Sequence, residues 1–125
     1  LVLDTSVVID LLHGRVADQS VLDPAREPVV ISTITVHEVG VGLRDGEAAL
    51  TDALLASFAV VPFGTKEAEL SARWRREYRS RGITLELGDT AIAATAAIRN
   101  LPLATGNAKD FPMPELRVEP WSSAE

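Results

Sequence analysis

The chain has 125 residues, 46% of them hydrophobic, no cysteine and a formal net charge of −6. That length suits one domain, residues 1–125, with its own core, and leaves no room for a second. The missing cysteines exclude disulfides and thiolate metal sites, no run approaches the ~18 apolar residues of a membrane span, and the acidic balance argues against nucleic-acid binding by bulk charge.

In chain order, Leu1, Val2 and Leu3 begin a buried strand that Asp4 ends with a bare carboxylate. No basic segment precedes this apolar start, and Asp4 and Asp10 interrupt it, so it does not read as a signal peptide. Leu at residue 1 gives the expectation of a processed or trimmed start, while the absence of cysteine suits a reducing cytoplasm and no membrane contact is expected. Thr5 or Ser6 opens an apolar stretch read as a helix, closed by His13–Gly14. Residues 15 to 27 are polar and irregular, with a turn at Asp23–Pro24. "VVIS" (29–32) is a β-branched run, as expected of a strand buried on both faces. "TVHE" (35–38) has the form of a capping box, which puts Thr35 at a helix N-cap and Glu38 three residues on. His37 is expected to be partly buried on that helix. An amphipathic helix over 46–57 and a third strand in "AVVPF" (59–63) follow.

Thr65 is expected to cap a long helix that reaches about Ser80 and stops at Gly82. Leu70, Trp74 and Tyr78 form its i, i+4, i+8 stripe, read as core or dimer contact, while Arg73, Arg75, Arg76 and Arg79 take the remaining face. With Arg81 these are five of the twelve Lys and Arg, so the basic charge is concentrated there. A solvated face, a phosphate contact and a partner contact are all open readings. "GDTAIAATAAI" (88–98) is an Ala-rich helix headed by Asp89, slim enough to lie close on a sheet. "LPLAT" (101–105) gives a strand, "GNAKD" (106–110) a turn and "RVEPW" (117–121) a closing edge strand. Short strands alternating with helices predict an α/β fold, a three-layer sandwich with a short, mostly parallel central sheet flanked by helices.

Ligands of such sheets gather at the carboxyl ends of the strands. Asp4, Glu38, Asp89, Asn107 and Asp110 all fall at strand ends or in the helix starts and turns that follow. Each alone is explained by the preference of acids for helix N-termini and turns. Together they would repel one another, and a shared polyvalent cation relieves that repulsion. An oxygen-only set suits Mg²⁺ or Mn²⁺ rather than zinc, and a hard cation that keeps water positions serves phosphoryl chemistry.

Over essentially its whole length the sequence resembles the PIN-domain ribonucleases of the VapC toxin type. The resemblance is carried by "LDTSVVIDLL", by Glu38 in "TVHEVGVGL", by "DTAIAATA" from Asp89 and by "LATGNAKDF" from Leu103. It matches Asp4, Glu38 and Asp89 to the three acids of the family's metal site, and Asn107 or Asp110 to a fourth position. Gly106 stands where relatives often carry a basic or polar residue. Thr5, Ser6 and Thr105 match hydroxyl positions beside the first acid and at the end of the fourth strand.

The resemblance implies a PIN-like, Mg²⁺-dependent endoribonuclease (Mn²⁺ as a substitute) that hydrolyses RNA phosphodiester bonds with metal-activated water. Asp4 and Asp89 would bind the ion. Glu38 would bind a second ion or orient and deprotonate the attacking water, and Asn107 or Asp110 would complete the shell through water. Asn107, nearer the strand end, is expected to matter more than Asp110. A VapB-type antitoxin and a homodimer are the implied partners. Two rivals stand beside this reading. One is a non-catalytic PIN module that binds RNA or protein. The weaker one is a haloacid-dehalogenase-like phosphatase, whose motif wants an acid where Ser6 stands.

Overall fold

Asp4 lies at the point where the chain's two halves diverge. The computed structural model describes residues 1–15 and 28–123, and the turn expected at Asp23–Pro24 lies outside them. Five strands form the sheet: β1 (Val2–Leu3), β2 (Val30–Ser32), β3 (Ala59–Val61), β4 (Leu103–Thr105) and β5 (Val118–Pro120). Their order is β3-β2-β1-β4-β5, and every pairing is parallel. The chain builds outward from β1 through β2 to β3, then returns to lay β4 and β5 on the other side. The order therefore reverses between β1 and β4, where a parallel sheet leaves a crevice at its carboxyl edge.

The helices are α1 (Thr5–Leu12), α2 (Thr33–Val41), α3 (Ala48–Ala56), α4 (Thr65–Arg79) and α5 (Leu87–Ile98). Alternation along the strands sorts the core into two layers. Val2, Val30 and Leu103 face Trp74 and Tyr78 of α4 and Ile92, Ala93 and Ala96 of α5. Leu1, Leu3, Ile31 and Ala104 face Val7 and Val8 of α1, Val39 of α2, and Leu54 and Leu55 of α3. The expected three-layer sandwich is thus present, and its sheet is wholly parallel. No helix among the described residues is long and apolar enough to cross a membrane.

The alanines of α5 let it press on the sheet and on α4, and Ser71 and Thr90 bond at 2.6 Å between the two helices. Trp74 and Tyr78 are core residues. Their polar ends are satisfied, with Trp74 Nε1 donating to Glu115 at 2.9 Å and Tyr78 Oη to the Pro112 carbonyl at 3.1 Å. Gly82, at φ +78°, turns the chain after α4 in a conformation that side chains disfavour.

α1 begins at Thr5 as expected, with Asp4 as its N-cap. Two expected helix starts are corrected. Ser32 caps α2, its Oγ accepting from the Ile34 N–H at 3.0 Å, so the helix begins two residues before the expected Thr35 cap. Thr35 is instead fully buried inside α2. Gly64 precedes α4, and Glu67 reaches back to accept from its N–H at 2.9 Å, which makes Thr65 the first helical residue rather than the cap. His37, expected to be partly buried, is exposed.

Candidate active site

β1 ends at Leu3, and the next residue turns into α1 with its carboxylate held beneath the crevice. Asp4 is only 5% exposed. One of its oxygens, Oδ1, accepts from the Thr5 N–H at 2.8 Å, the usual N-cap contact. The other, Oδ2, accepts from Thr105 Oγ1 at 2.7 Å and from Ser6 Oγ at 3.1 Å. Thr105 ends β4, the strand beside β1, and its hydroxyl in turn accepts from the Asn107 N–H at 3.0 Å. Capping and a site role are therefore compatible: one oxygen starts the helix, and the other is fixed by two hydroxyls from neighbouring strand ends.

Glu38 comes from the second turn of α2. Its Oε1 accepts from Thr5 Oγ1 at 2.6 Å, and Thr5 also touches Thr35 Oγ1 at 3.2 Å. Its Oε2 lies so close to the first turn of α5 that a Cβ added to Gly88 would meet it at 2.8 Å. Glycine is poor inside a helix, but at this position it makes room for the carboxylate.

Asp89 sits in the first turn of α5, half-buried. A helix N-terminus lowers a carboxylate's pKa, yet here the opposing influences win. Burial first, then the charges of Asp4, Asp110, Glu38 and Glu86, push Asp89 from 3.8 up to about 6. The acids expected from sequence thus share one electrostatic neighbourhood. Among the described residues, neither Asp4, Glu38, Asp89 nor Asp110 is in an ion pair.

The turn after β4 separates the two candidates for the fourth position. Asp110 ends a short 3₁₀ turn (Ala108–Asp110), and its charge is the second largest of those acting on Asp89. It lines a cleft with Thr84, Glu86, Asp89 and Lys109. Asn107 is exposed, and its backbone N–H, rather than its side chain, supports the site through Thr105. Two contributors escaped the sequence reading. Glu86 had no motif to mark it. Gly88 did carry a signal, a glycine at the start of an otherwise strong helix former.

The donor chemistry fits a hard divalent cation, with crowded carboxylate oxygens, hydroxyls and no thiol or imidazole in the group. Among the described residues, no three His, Asp or Glu side chains close on one point as a finished shell would. His13, by contrast, is engaged elsewhere, with Nε2 2.9 Å from Glu47 at the far end of α1. A pair of histidines for acid–base cleavage is not assembled among the described residues.

Comparison with known proteins agrees with this geometry. The PIN domain family matches residues 1–112. The chain is 37% identical over 124 residues to ribonuclease VapC10 of Mycobacterium tuberculosis, covering 98% of this chain and 93% of that one. It is 30% identical to a ribonuclease VapC of Rickettsia bellii, covering 94% and 93%. Among solved structures, a toxin–antitoxin complex from Klebsiella pneumoniae superimposes with a TM-score of 0.74 at 35% identity, over 92% and 93% of the two chains. The DNA-bound VapBC of Salmonella typhimurium shares the fold with a TM-score of 0.82 at 23% identity, over 97% of each chain. With the family match running over residues 1–112 and these relatives aligned over nearly the whole chain, the chain belongs to the PIN-domain family, among the VapC ribonucleases.

Proposed function

We propose that this chain is the toxic ribonuclease of a toxin–antitoxin pair, a metal-dependent endoribonuclease kept in check by a VapB-type antitoxin. The observation that carries the reading is that Asp4, Glu38 and Asp110 all bear on Asp89 through their charges at the carboxyl edge of the sheet, with Glu38 lying against the start of α5. Asp4 and Asp89 would hold Mg²⁺, with Mn²⁺ as a substitute. Glu38 would hold a second ion or orient and deprotonate the attacking water, and Asp110 or Asn107 would complete the shell through water. When bound, such an ion lowers the pKa of water and offsets charge that grows on the phosphoryl oxygens.

The chain's own residues supply the positioning. Thr105 and Ser6 fix the free oxygen of Asp4, and Thr5 fixes Glu38 from the adjacent helix start. The oxygen donors thus come from short strand-to-helix junctions and helix starts, without needing a long loop. Hydrolysis by activated water would leave 5′-phosphate and 3′-hydroxyl ends. RNA incubated with the protein in Mg²⁺, Mn²⁺ or EDTA, followed by end-mapping, tests this. Cleavage confined to the divalent cations supports the reading. Tight RNA binding without cleavage in any condition would favour a non-catalytic PIN module instead.

A further inference from the structure

The acidic site poses an electrostatic problem for a protein of net charge −6 that must hold a polyanion. Two clefts beside α4 bear on it. One is lined by Ala72, Arg75, Arg76, Arg79, Thr84 and Leu85. The other, already described, runs from Thr84 and Leu85 past Glu86 to Asp89, Lys109 and Asp110. They share Thr84 and Leu85 as a common wall, so the arginine cleft adjoins the one that holds the acids.

The arginines of α4 differ in what they do. Arg75 Nε donates to the Leu85 carbonyl at 3.0 Å and so ties the shared wall to the helix. Arg73 pairs with Glu77 at 3.5 Å, and Arg81 lies 4.2 Å over the Tyr78 ring. Arg76 and Arg79 have no carboxylate or hydrogen-bond partner among the described residues. They line the cleft with their planar donor forks unused, and such forks match phosphate oxygens in pairs.

We propose that this trough carries the RNA strand beside the cut, with Arg76 and Arg79 binding its backbone phosphates; the proposal rests on the ribonuclease reading above. Lys109 lines the cleft with Asp89 and Asp110, which adds a further cation beside the acids. No Trp, Tyr or Phe lines either cleft. Bases there have no aromatic face to stack on, and the contact is therefore with the backbone, salt-dependent and tolerant of sequence. An acidic segment of a protein partner could use the same forks, but it would have no reason to follow the trough to a cluster of carboxylates.

The test uses the full chain carrying Asp4→Asn to stop cutting, with labelled single-stranded RNA titrated at several salt concentrations. The pair Arg76→Gln and Arg79→Gln is compared with the charge-matched pair Arg44→Gln and Arg117→Gln, which lies outside the trough. Losing two phosphate contacts should flatten the slope of log K against log salt by about 1.4, or about 25-fold in affinity at 0.1 M salt. The control pair should leave the slope in place, and Arg→Lys at both positions should restore most of it. In the cutting protein the effect should fall on KM rather than kcat. An unmoved slope, or an equal loss in the control pair, overturns the proposal. Retained RNA binding with lost inhibition by the antitoxin overturns it in favour of a protein partner. If the unsubstituted chain cuts RNA while the trough variants bind normally, only the trough is wrong. If it neither binds nor cuts, the ribonuclease reading fails too.

Discussion

Thr105 Oγ1 donates to Asp4 Oδ2 over 2.7 Å, joining two residues 101 apart in the sequence across adjacent strand ends. Asp4 is almost fully buried, so its second oxygen depends on this hydroxyl and on Ser6 in place of water. Thr105→Val removes the donor and keeps the shape, and should cost about 1–3 kcal/mol in urea unfolding. Thr105→Ser should recover most of that. RNA cleavage should fall with Val and persist with Ser. Equal activity in the two variants would show that the bond does not position Asp4.

Gly88 gives a cleaner separation of fold from function. Alanine in a helix is favoured over glycine by about 1 kcal/mol, so Gly88→Ala should be neutral or stabilising by thermal melting. Its methyl group would nonetheless crowd Glu38 Oε2, 2.8 Å from where it must go. The expected outcome is a protein at least as stable as the parent but with cleavage reduced about tenfold or more, the scale on which misplaced catalytic groups act. Normal cleavage would mean that Glu38 need not lie against α5.

Asp89 predicts a pH dependence of stability in the metal-free protein. Its folded pKa, about 6, is raised above the ordinary 3.8, so the folded state favours the neutral form. The associated stability is fully present below pH 3.8 and is lost as pH rises through about 6. In EDTA the gap between Asp89→Asn and the parent should therefore widen in favour of the variant from pH 4 to pH 7.5. Adding Mg²⁺ at pH 7.5 should raise the parent's melting temperature and leave the variant's nearly unchanged. A gap constant with pH would contradict the crowding of acids.

For the turn after β4, the geometry shifts weight from Asn107 toward Asp110. Asp110 acts on Asp89 through its charge, whereas Asn107 supports Thr105 through a backbone N–H that any non-proline residue supplies. Asp110→Asn should lower the Asp89 pKa, read by NMR titration, and Asp110→Ala should reduce cleavage more than Asn107→Ala. A dead Asn107→Ala beside an active Asp110→Ala would restore the order expected from sequence.

Most of the architecture was legible because its signals are local. The β-branched "VVIS", the Leu70–Trp74–Tyr78 stripe and the Ala-rich run from Asp89 each state their own element, and alternating elements imply a parallel sheet. The helix starts were less legible. Ser32 caps α2 because β2 runs straight into that helix, whereas the "TVHE" pattern pointed three residues too late; the Gly64–Glu67 contact starts α4 one residue before the expected Thr65 cap. The site acids were visible as positions, but their supports were not. Thr105 against Asp4 and Gly88 against Glu38 are contacts between distant segments, and no spacing in the chain announces them.

Whether Asp4 and Asp89 hold a catalytic metal is read from the rate of RNA cleavage by Asp4→Asn and Asp89→Asn proteins beside the parent, in Mg²⁺ and in EDTA, with all three shown to be folded. Asparagine caps a helix as well as aspartate does, so a purely structural role for these acids predicts full activity in both variants. If these acids hold a catalytic metal, the parent cuts in Mg²⁺, leaving 5′-phosphate ends, and is silent in EDTA. Both variants should be silent throughout, with Asp89→Asn at least as stable as the parent without metal. Cleavage by the parent that survives EDTA, or full activity in both variants, would contradict a catalytic metal held by Asp4 and Asp89.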